Sequence, residues 1–228
     1  MADEADGGVP GPDGPRPGGS AVARVYGEIA SAYEVLYPAL HRYGDRVETF
    51  LADAVAPGMR VLDVGCGPGL HTRGLDASVD VVGLDLAPEM LELAKRARPS
   101  GTWRVHGYLE PVPEDLGHFD VALAIGCLDF CEDLPRVLGH LGRALKPGGR
   151  MLFTVLERRP GLEAHEDATR TVGTADAEVT LHLWSFAETV QALGAAGLRV
   201  GSYVHAPGWV QLVEERTMWF GWWDVTRG

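Results

Sequence analysis

Two carboxylates and a run of glycines hold the most specific chemical signal in the chain. In Val61-Leu62-Asp63-Val64-Gly65-Cys66-Gly67-Pro68-Gly69, a short apolar strand runs into a glycine-rich turn and then a short helical stretch. That layout serves a nucleoside-bearing ligand at the C-terminal end of a parallel strand. Gly65 and Gly67 remove side chains that would block backbone approach, and Gly69 relieves the entry into the next element. Asp85 lies twenty residues after Gly65, at the end of the next strand. A carboxylate there accepts hydrogen bonds from both hydroxyls of a ribose. A dinucleotide site needs its third glycine at residue 70, which is Leu70. Asp63 adds negative charge beside the ligand, which suits a molecule carrying an ammonium and a sulfonium better than a pyrophosphate.

Further motifs surround this loop: Tyr26-x-x-x-Ala30-x-x-Tyr33 before it, then Gly83-Leu84-Asp85-Leu86-Ala87-Pro88-Glu89-Met90-Leu91, Phe119-Asp120-Val121 and Leu145-Lys146-Pro147-Gly148-Gly149. From about Tyr26 to His205 the chain resembles class I S-adenosylmethionine-dependent methyltransferases, above all the small-molecule branch related to ubiquinone- and menaquinone-pathway enzymes. The resemblance implies S-adenosyl-L-methionine as cofactor, with Asp63 and the loop Gly65, Cys66, Gly67 and Gly69 around its methionine part and Asp85 on its ribose. Leu86 and Met90 would flank the adenine, Ile125 and Gly126 would lie beside the methionine part, and Tyr26 and Tyr33 would close over the site. Where the family often has an acid facing the adenine amine, this chain has Gly107-Tyr108-Leu109, so Tyr108 and Leu109 would meet the base through backbone groups and stacking. The stretch between Gly69 and the next strand is also short for the family's first helix.

Methyl transfer from a sulfonium needs an aligned acceptor, a dry site and, for some acceptors, a base. Asp129 stands where the family often has a histidine after the fourth strand, and is either a proton acceptor or a loop acid and helix cap. His182, on a segment that often lines the acceptor pocket, is either a second proton acceptor near neutral pH or a structural histidine. Trp184 and Trp209 stand at loop positions and are the aromatic candidates for an acceptor pocket, although most tryptophans of the last strands pack the core. His71 reads as a packing or capping residue, Cys66 and Cys127 as small core or loop residues. A nonmethylating cyclase or isomerase on the same fold, or a cofactor-binding partner protein without turnover, are the rival readings.

The elements that must position these groups alternate strand and helix: strands over 60–64, 80–85, 102–106, 119–125 and 150–156, helices over 88–96 and 133–145, a turn at 146–149, and closing strands over 198–205 and 217–226. Ser185-Phe186-Ala187-Glu188 is a capping box for a further helix. This predicts an α/β, doubly wound, Rossmann-like sheet of seven mostly parallel strands with an antiparallel last strand. Residues 1–20, with six Gly and four Pro, read as a disordered tail. Residues 21–228 read as one domain, with a helical cap over 21–50 and a lid over 157–184, since 157–177 is long for a connection. The 228 residues are 46% hydrophobic and 23% charged, a globular balance. A net charge of −12 without a basic cluster argues against a nucleic-acid partner, and no apolar run suffices for a membrane span. Three cysteines and an acidic N-terminus without a secretory layout point to a cytoplasmic protein, and the resemblance implies a small-molecule acceptor. Oligomeric state is not legible.

Overall fold

The structure, a computed structural model, describes residues 17–40, 43–172, 175–211 and 216–228. In chain order its elements are α1 (Pro17–Leu40), α2 (Gly44–Ala54), β1 (Arg60–Val64), β2 (Asp80–Asp85), α3 (Pro88–Ala97), β3 (Thr102–Val105), β4 (Phe119–Ala124), α4 (Leu134–Ala144), β5 (Leu145–Leu156), β6 (His165–Val172), β7 (Ala175–His182), α5 (Phe186–Ala195), β8 (Leu198–Gln211) and β9 (Arg216–Arg227).

Seven strands form one sheet in the order β3-β2-β1-β4-β5-β9-β8. The first five are mutually parallel, and β9 runs antiparallel to both β5 and β8. The Rossmann-like architecture expected from the sequence is therefore present. Period-two alternation sends neighbouring side chains of β1 to opposite faces. Leu62 joins a core with Val137, Leu138 and Leu141 of α4 and Leu193 of α5, while Val61 joins Val47, Phe50 and Leu51 of α2. Burial on both faces explains why these strands read as continuous apolar runs.

The strand order reverses between β1 and β4, and the crevice at their C-terminal ends is where such sheets bind ligands. The opposite, N-terminal ends are clamped by Asp120. Its carboxylate accepts from the Arg60 amide (2.8 Å) and from Lys146 Nζ (2.8 Å); burial alone would raise its pKa, but these contacts together outweigh burial and hold it below the usual carboxylate range. α5 starts with the expected capping box, Ser185 and Glu188 bonding each other's backbone amides.

Three expectations are corrected. The turn at 146–149 does not precede the strand but bulges within it: Phe119 pairs with Leu145 and Val121 with Arg150, and Gly148 at φ 76° makes the detour possible. The stretch after residue 157, read as a long connection or lid without strands assigned to it, forms the antiparallel pair β6–β7, so its backbone groups are satisfied by each other. The first helix begins at Pro17, inside the segment read as tail, with proline at a helix start where its missing N–H costs nothing. Residues 1–16 of that tail lie outside the described residues. Among the described residues no helix is long and apolar enough to cross a membrane.

Candidate cofactor and acceptor site

The glycine loop is built by backbone constraints. Gly65, Gly67 and Gly69 have φ of 63°, 52° and 74°, a region that side chains with a Cβ rarely enter. A Cβ on Gly65 would also lie 2.3 Å from the Cys127 Cβ. The loop thus packs directly on the chain leaving β4, and no other residue fits there. The Gly65 and Cys66 amides donate to the Leu84 carbonyl (2.7 and 3.1 Å), tying the turn to the end of β2.

Asp85 grips the same turn. One carboxylate oxygen accepts from the Gly67 amide (2.8 Å), the other from the Ala87 amide (2.9 Å). Burial raises its pKa, and the amide bonds oppose that rise. Each oxygen retains lone-pair capacity for a ligand hydroxyl. Asp63 is buried on β1, with Thr72 Oγ1 donating at 3.3 Å. Burial pushes its pKa up to about 7, with Thr72 opposing and Asp85 adding to the rise. Two acids with elevated pKa, Asp63 buried and Asp85 half-buried, form with the loop of small residues a cradle for a ligand that brings positive charge and ribose hydroxyls. The residues present therefore fit S-adenosylmethionine.

Beneath the loop lies a residue that the sequence reading did not single out. The Trp103 indole on β3 occupies a slot made by three glycines: a Cβ would approach it to 2.3 Å at Gly83, 2.7 Å at Gly101 and 3.2 Å at Gly69. Its Nε1 donates to the Arg98 carbonyl at 3.1 Å. Arg98 in turn donates to the carbonyls of Leu75, Asp76 and Val79 (2.6–2.8 Å), holding the connection where the short first helix was expected. The signal was present as three glycines facing one tryptophan, but no local motif joins them.

Tyr26 and Tyr33 stand on α1, their rings 5.8 Å apart. A Cβ on Gly67 would lie 4.0 Å from the Tyr33 ring, so α1 crosses the loop. Tyr26 also meets Phe130 at 6.2 Å. Met90, expected beside the adenine, is buried with Ile29 and Ala30 of α1. Leu86 approaches Gly107, to 3.2 Å from a Cβ placed there. Ile125 directs its side chain into the α2-side core, so its backbone is what borders the loop. Gly126, at φ 65°, packs against the Tyr43 ring and donates to Thr154 Oγ1 at 2.8 Å.

Asp129 is buried in a 3-10 turn, Leu128–Phe130, directly after β4. Burial first, then Asp129, raises the pKa of the Cys127 thiol. Tyr108 and Leu109 pack on the α4-side core, and the Tyr108 hydroxyl is raised by burial, then by Cys131, Cys127, Asp129 and Glu132. Tyr108 therefore reaches toward the end of β4. His182 ends β7 and is half-buried, on the strand face opposite the buried Val179, Leu181 and Leu183. Trp184 is tied by its Nε1 to the Cys131 carbonyl at 3.2 Å, which anchors the segment entering α5. The Trp209 side chain lies outside the described residues. His71 is held uncharged by burial, its pKa lowered to about 4, in keeping with a packing role.

The sequence reading also missed a cluster beyond β5: Glu157 accepts from Tyr203 Oη at 2.5 Å and lies 3.3 Å from His205 Nδ1. It fastens the β8–β9 pair to the end of β5.

A doubly wound sheet with a glycine loop between two acids at its switch point is the architecture of a nucleoside-cofactor α/β protein. Comparison with known proteins narrows the class. A methyltransferase-domain family model matches residues 62–153. The chain is 31% identical over 173 residues to the malonyl-[acyl-carrier protein] O-methyltransferase of Pseudescherichia vulneris, covering 75% of this chain and 68% of that protein. The protein of the same name from Serratia marcescens is 33% identical over 137 residues, 60% of this chain and 52% of the relative. The chain spans about half the length of the first curated relatives it matches. Among solved structures, the [4+2]-cyclase SpnF superposes with a TM-score of 0.68 at 17% identity, covering 92% of this chain and 96% of that one; the likeness is one of fold. The chain belongs to the class I S-adenosylmethionine-dependent methyltransferases.

Proposed function

We propose that this protein transfers the methyl group of S-adenosylmethionine to an oxygen, nitrogen or carbon nucleophile of a small molecule of bacterial secondary metabolism. The observation that carries the reading is the pair of carboxylates flanking the positive-φ loop, Asp63 buried on β1 and Asp85 half-buried at the end of β2 with its oxygens held by the Gly67 and Ala87 amides. Bound there, the sulfonium supplies an electrophilic methyl group with a good leaving group. The chain's own residues do the rest. Asp85 orients the ribose, Asp63 receives the ammonium, and α1 with Tyr26 and Tyr33 excludes water above the loop. Asp129, one turn past Gly126, stands where a departing proton needs an acceptor, with His182 the second candidate. The β6–β7 pair is the proposed lid.

Calorimetry with S-adenosylmethionine tests the assignment. Asp85→Ala should weaken binding by about 1.5–3 kcal/mol for each lost charged hydrogen bond; unchanged affinity in a folded variant sinks the ribose role. Release of S-adenosylhomocysteine with an acceptor separates methyl transfer from a cyclase-type reaction on the same fold and from a binding protein without turnover.

A further inference from the structure

A threonine stands in β5 where core packing has no use for a hydroxyl. Along the α2-side face the row reads Leu152, Thr154, Leu156, and both leucines belong to the apolar core. Thr154 itself is fully buried. Valine has nearly the same shape and suits a buried strand, whereas a buried hydroxyl is unfavourable unless it is hydrogen-bonded. This hydroxyl serves the chain leaving the neighbouring strand: Thr154 Oγ1 accepts from the Gly126 amide at 2.8 Å.

Gly126, at φ 65°, is where that chain turns out of the sheet. The Tyr43 ring lies against it, 2.8 Å from where a Cβ would stand. The next residue, Cys127, then rests on the glycine loop. Its Cβ and Sγ would be 2.3 and 2.9 Å from a Cβ on Gly65, and its thiol donates to the Val64 carbonyl at 3.2 Å. Thr154, Gly126, Cys127 and the Val64–Gly65 turn therefore form one stack, running from β5 past the end of β4 to the end of β1. The far half of the loop has a separate anchor, since Asp85 holds the Gly67 and Ala87 amides from β2.

Resting on the methyltransfer reading above, we infer that Thr154 is a positioning residue for the methionine part of the cofactor. It acts through Gly126 and Cys127, which set the near half of the loop where the amino-acid end is expected to lie. Without the hydroxyl the Gly126 amide loses its partner, and an unpaired N–H in a buried place is costly. The chain at 126 then shifts, and Cys127 moves off Gly65. The ribose end keeps its own anchor at Asp85, so the damage falls on one end of the cofactor and on the alignment of its methyl group.

Two ligands that share a nucleoside test the inference: S-adenosylhomocysteine, and methylthioadenosine, which lacks the amino-acid end. In calorimetry, Thr154→Val should weaken S-adenosylhomocysteine about tenfold and methylthioadenosine less than about twofold. Thr154→Ser should restore most of the loss. Cys127→Ala, further along the stack, should divide the two ligands in the same direction, and takes the place of Thr154→Val if that variant does not fold. Ser185→Ala, which lowers stability without touching the stack, should leave both affinities unchanged. Equal losses for the two ligands overturn the inference, as does no loss in either or a loss that serine does not relieve. If methylthioadenosine binds too weakly to titrate, Thr154→Val and Ser185→Ala decide: a loss of S-adenosylhomocysteine affinity in the first alone upholds the inference, and equal effects overturn it. Failure of the unaltered protein to bind S-adenosylhomocysteine is a different result, which removes the methyltransfer reading itself.

Discussion

At the scale of single residues, the Trp103 slot is the most constrained feature under the loop. Gly83→Ala would place a methyl group 2.3 Å from the indole and 2.8 Å from the Cys66 sulfur. Overpacking of this kind costs about 1–3 kcal/mol, so the melting temperature should fall. Trp103→Leu removes the obstacle, and the double variant should recover part of the loss, a coupling that a double-mutant cycle reads directly. Strict additivity of the two changes would show that the slot is looser than its geometry implies. Asp63 makes a second prediction. Its pKa near 7 in the free protein means that a bound ammonium must draw it into the ionised form. Affinity for S-adenosylmethionine should therefore rise with pH up to about 7 and then level off, and Asp63→Asn should flatten the profile. A flat profile in the unaltered protein would separate Asp63 from the ammonium. The base is tested alongside: Asp129→Asn should lower kcat by about 10²–10⁴ if it takes the proton, whereas a rise confined to KM marks positioning. His182→Gln is the control, since only the true base carries the pH dependence of kcat.

At the scale of elements, most of the architecture could be read from the chain. The strands at Arg60–Val64 and Asp80–Asp85 are short, largely apolar runs that carry Asp63 and Asp85 near their ends, and the loop is a contiguous motif, so each was visible locally. The β6–β7 pair was not, because His165–Val172 and Ala175–His182 are polar stretches whose pairing is set by each other's backbone. The bulge at 146–149 was half visible: proline and glycine announce a turn but not that β4 continues pairing on both sides of it. The site divides the same way. Asp63, Asp85 and the glycines are one local pattern, whereas the Trp103 slot and the Glu157–Tyr203–His205 cluster assemble from distant positions. The capping box of α5 was legible because its signal spans four residues. Ser185→Ala removes the side chain that caps the Glu188 amide, and should cost about 1 kcal/mol of stability. Denaturant midpoints read this, and an unchanged midpoint would mean the helix is held by packing alone.

For the whole molecule, the buried acids set an unusual dependence on pH. The folded-state pKa of Asp63 lies near 7, above its ordinary 3.8, and that of Asp85 is raised as well. A carboxyl raised on folding contributes stability that is fully present below its unfolded pKa and lost as pH rises through the folded one. Asp120 and Glu188 are shifted the other way by their partners, so their contribution is lost as pH falls below about 4. His71 likewise opposes the effect of Asp63, since burial lowers its pKa to about 4 and its contribution is lost as pH falls below about 6.5. Without ligand, the melting temperature of the unaltered protein relative to that of Asp63→Asn should therefore decline between about pH 4 and pH 7. Cofactor should oppose that decline, because it binds the ionised form. A difference that stays constant or grows over this range without cofactor would contradict the burial of Asp63.

The position of β9 has a bearing on how the chain is made. It is the last strand in sequence, yet it lies between β5 and β8, so β8 has nothing in the sheet to pair with until β9 has left the ribosome. Until then β5, with Phe153 and Val155 among its core residues, presents an open hydrogen-bonding edge at the middle of the finished sheet. Open apolar edges recruit other chains, and domains that complete a sheet late are vulnerable during synthesis. Translation pausing or premature termination ahead of Arg216 should therefore yield aggregate rather than a smaller soluble fold, and the last dozen residues of β9 act as the keystone of a sheet whose other strands are already waiting.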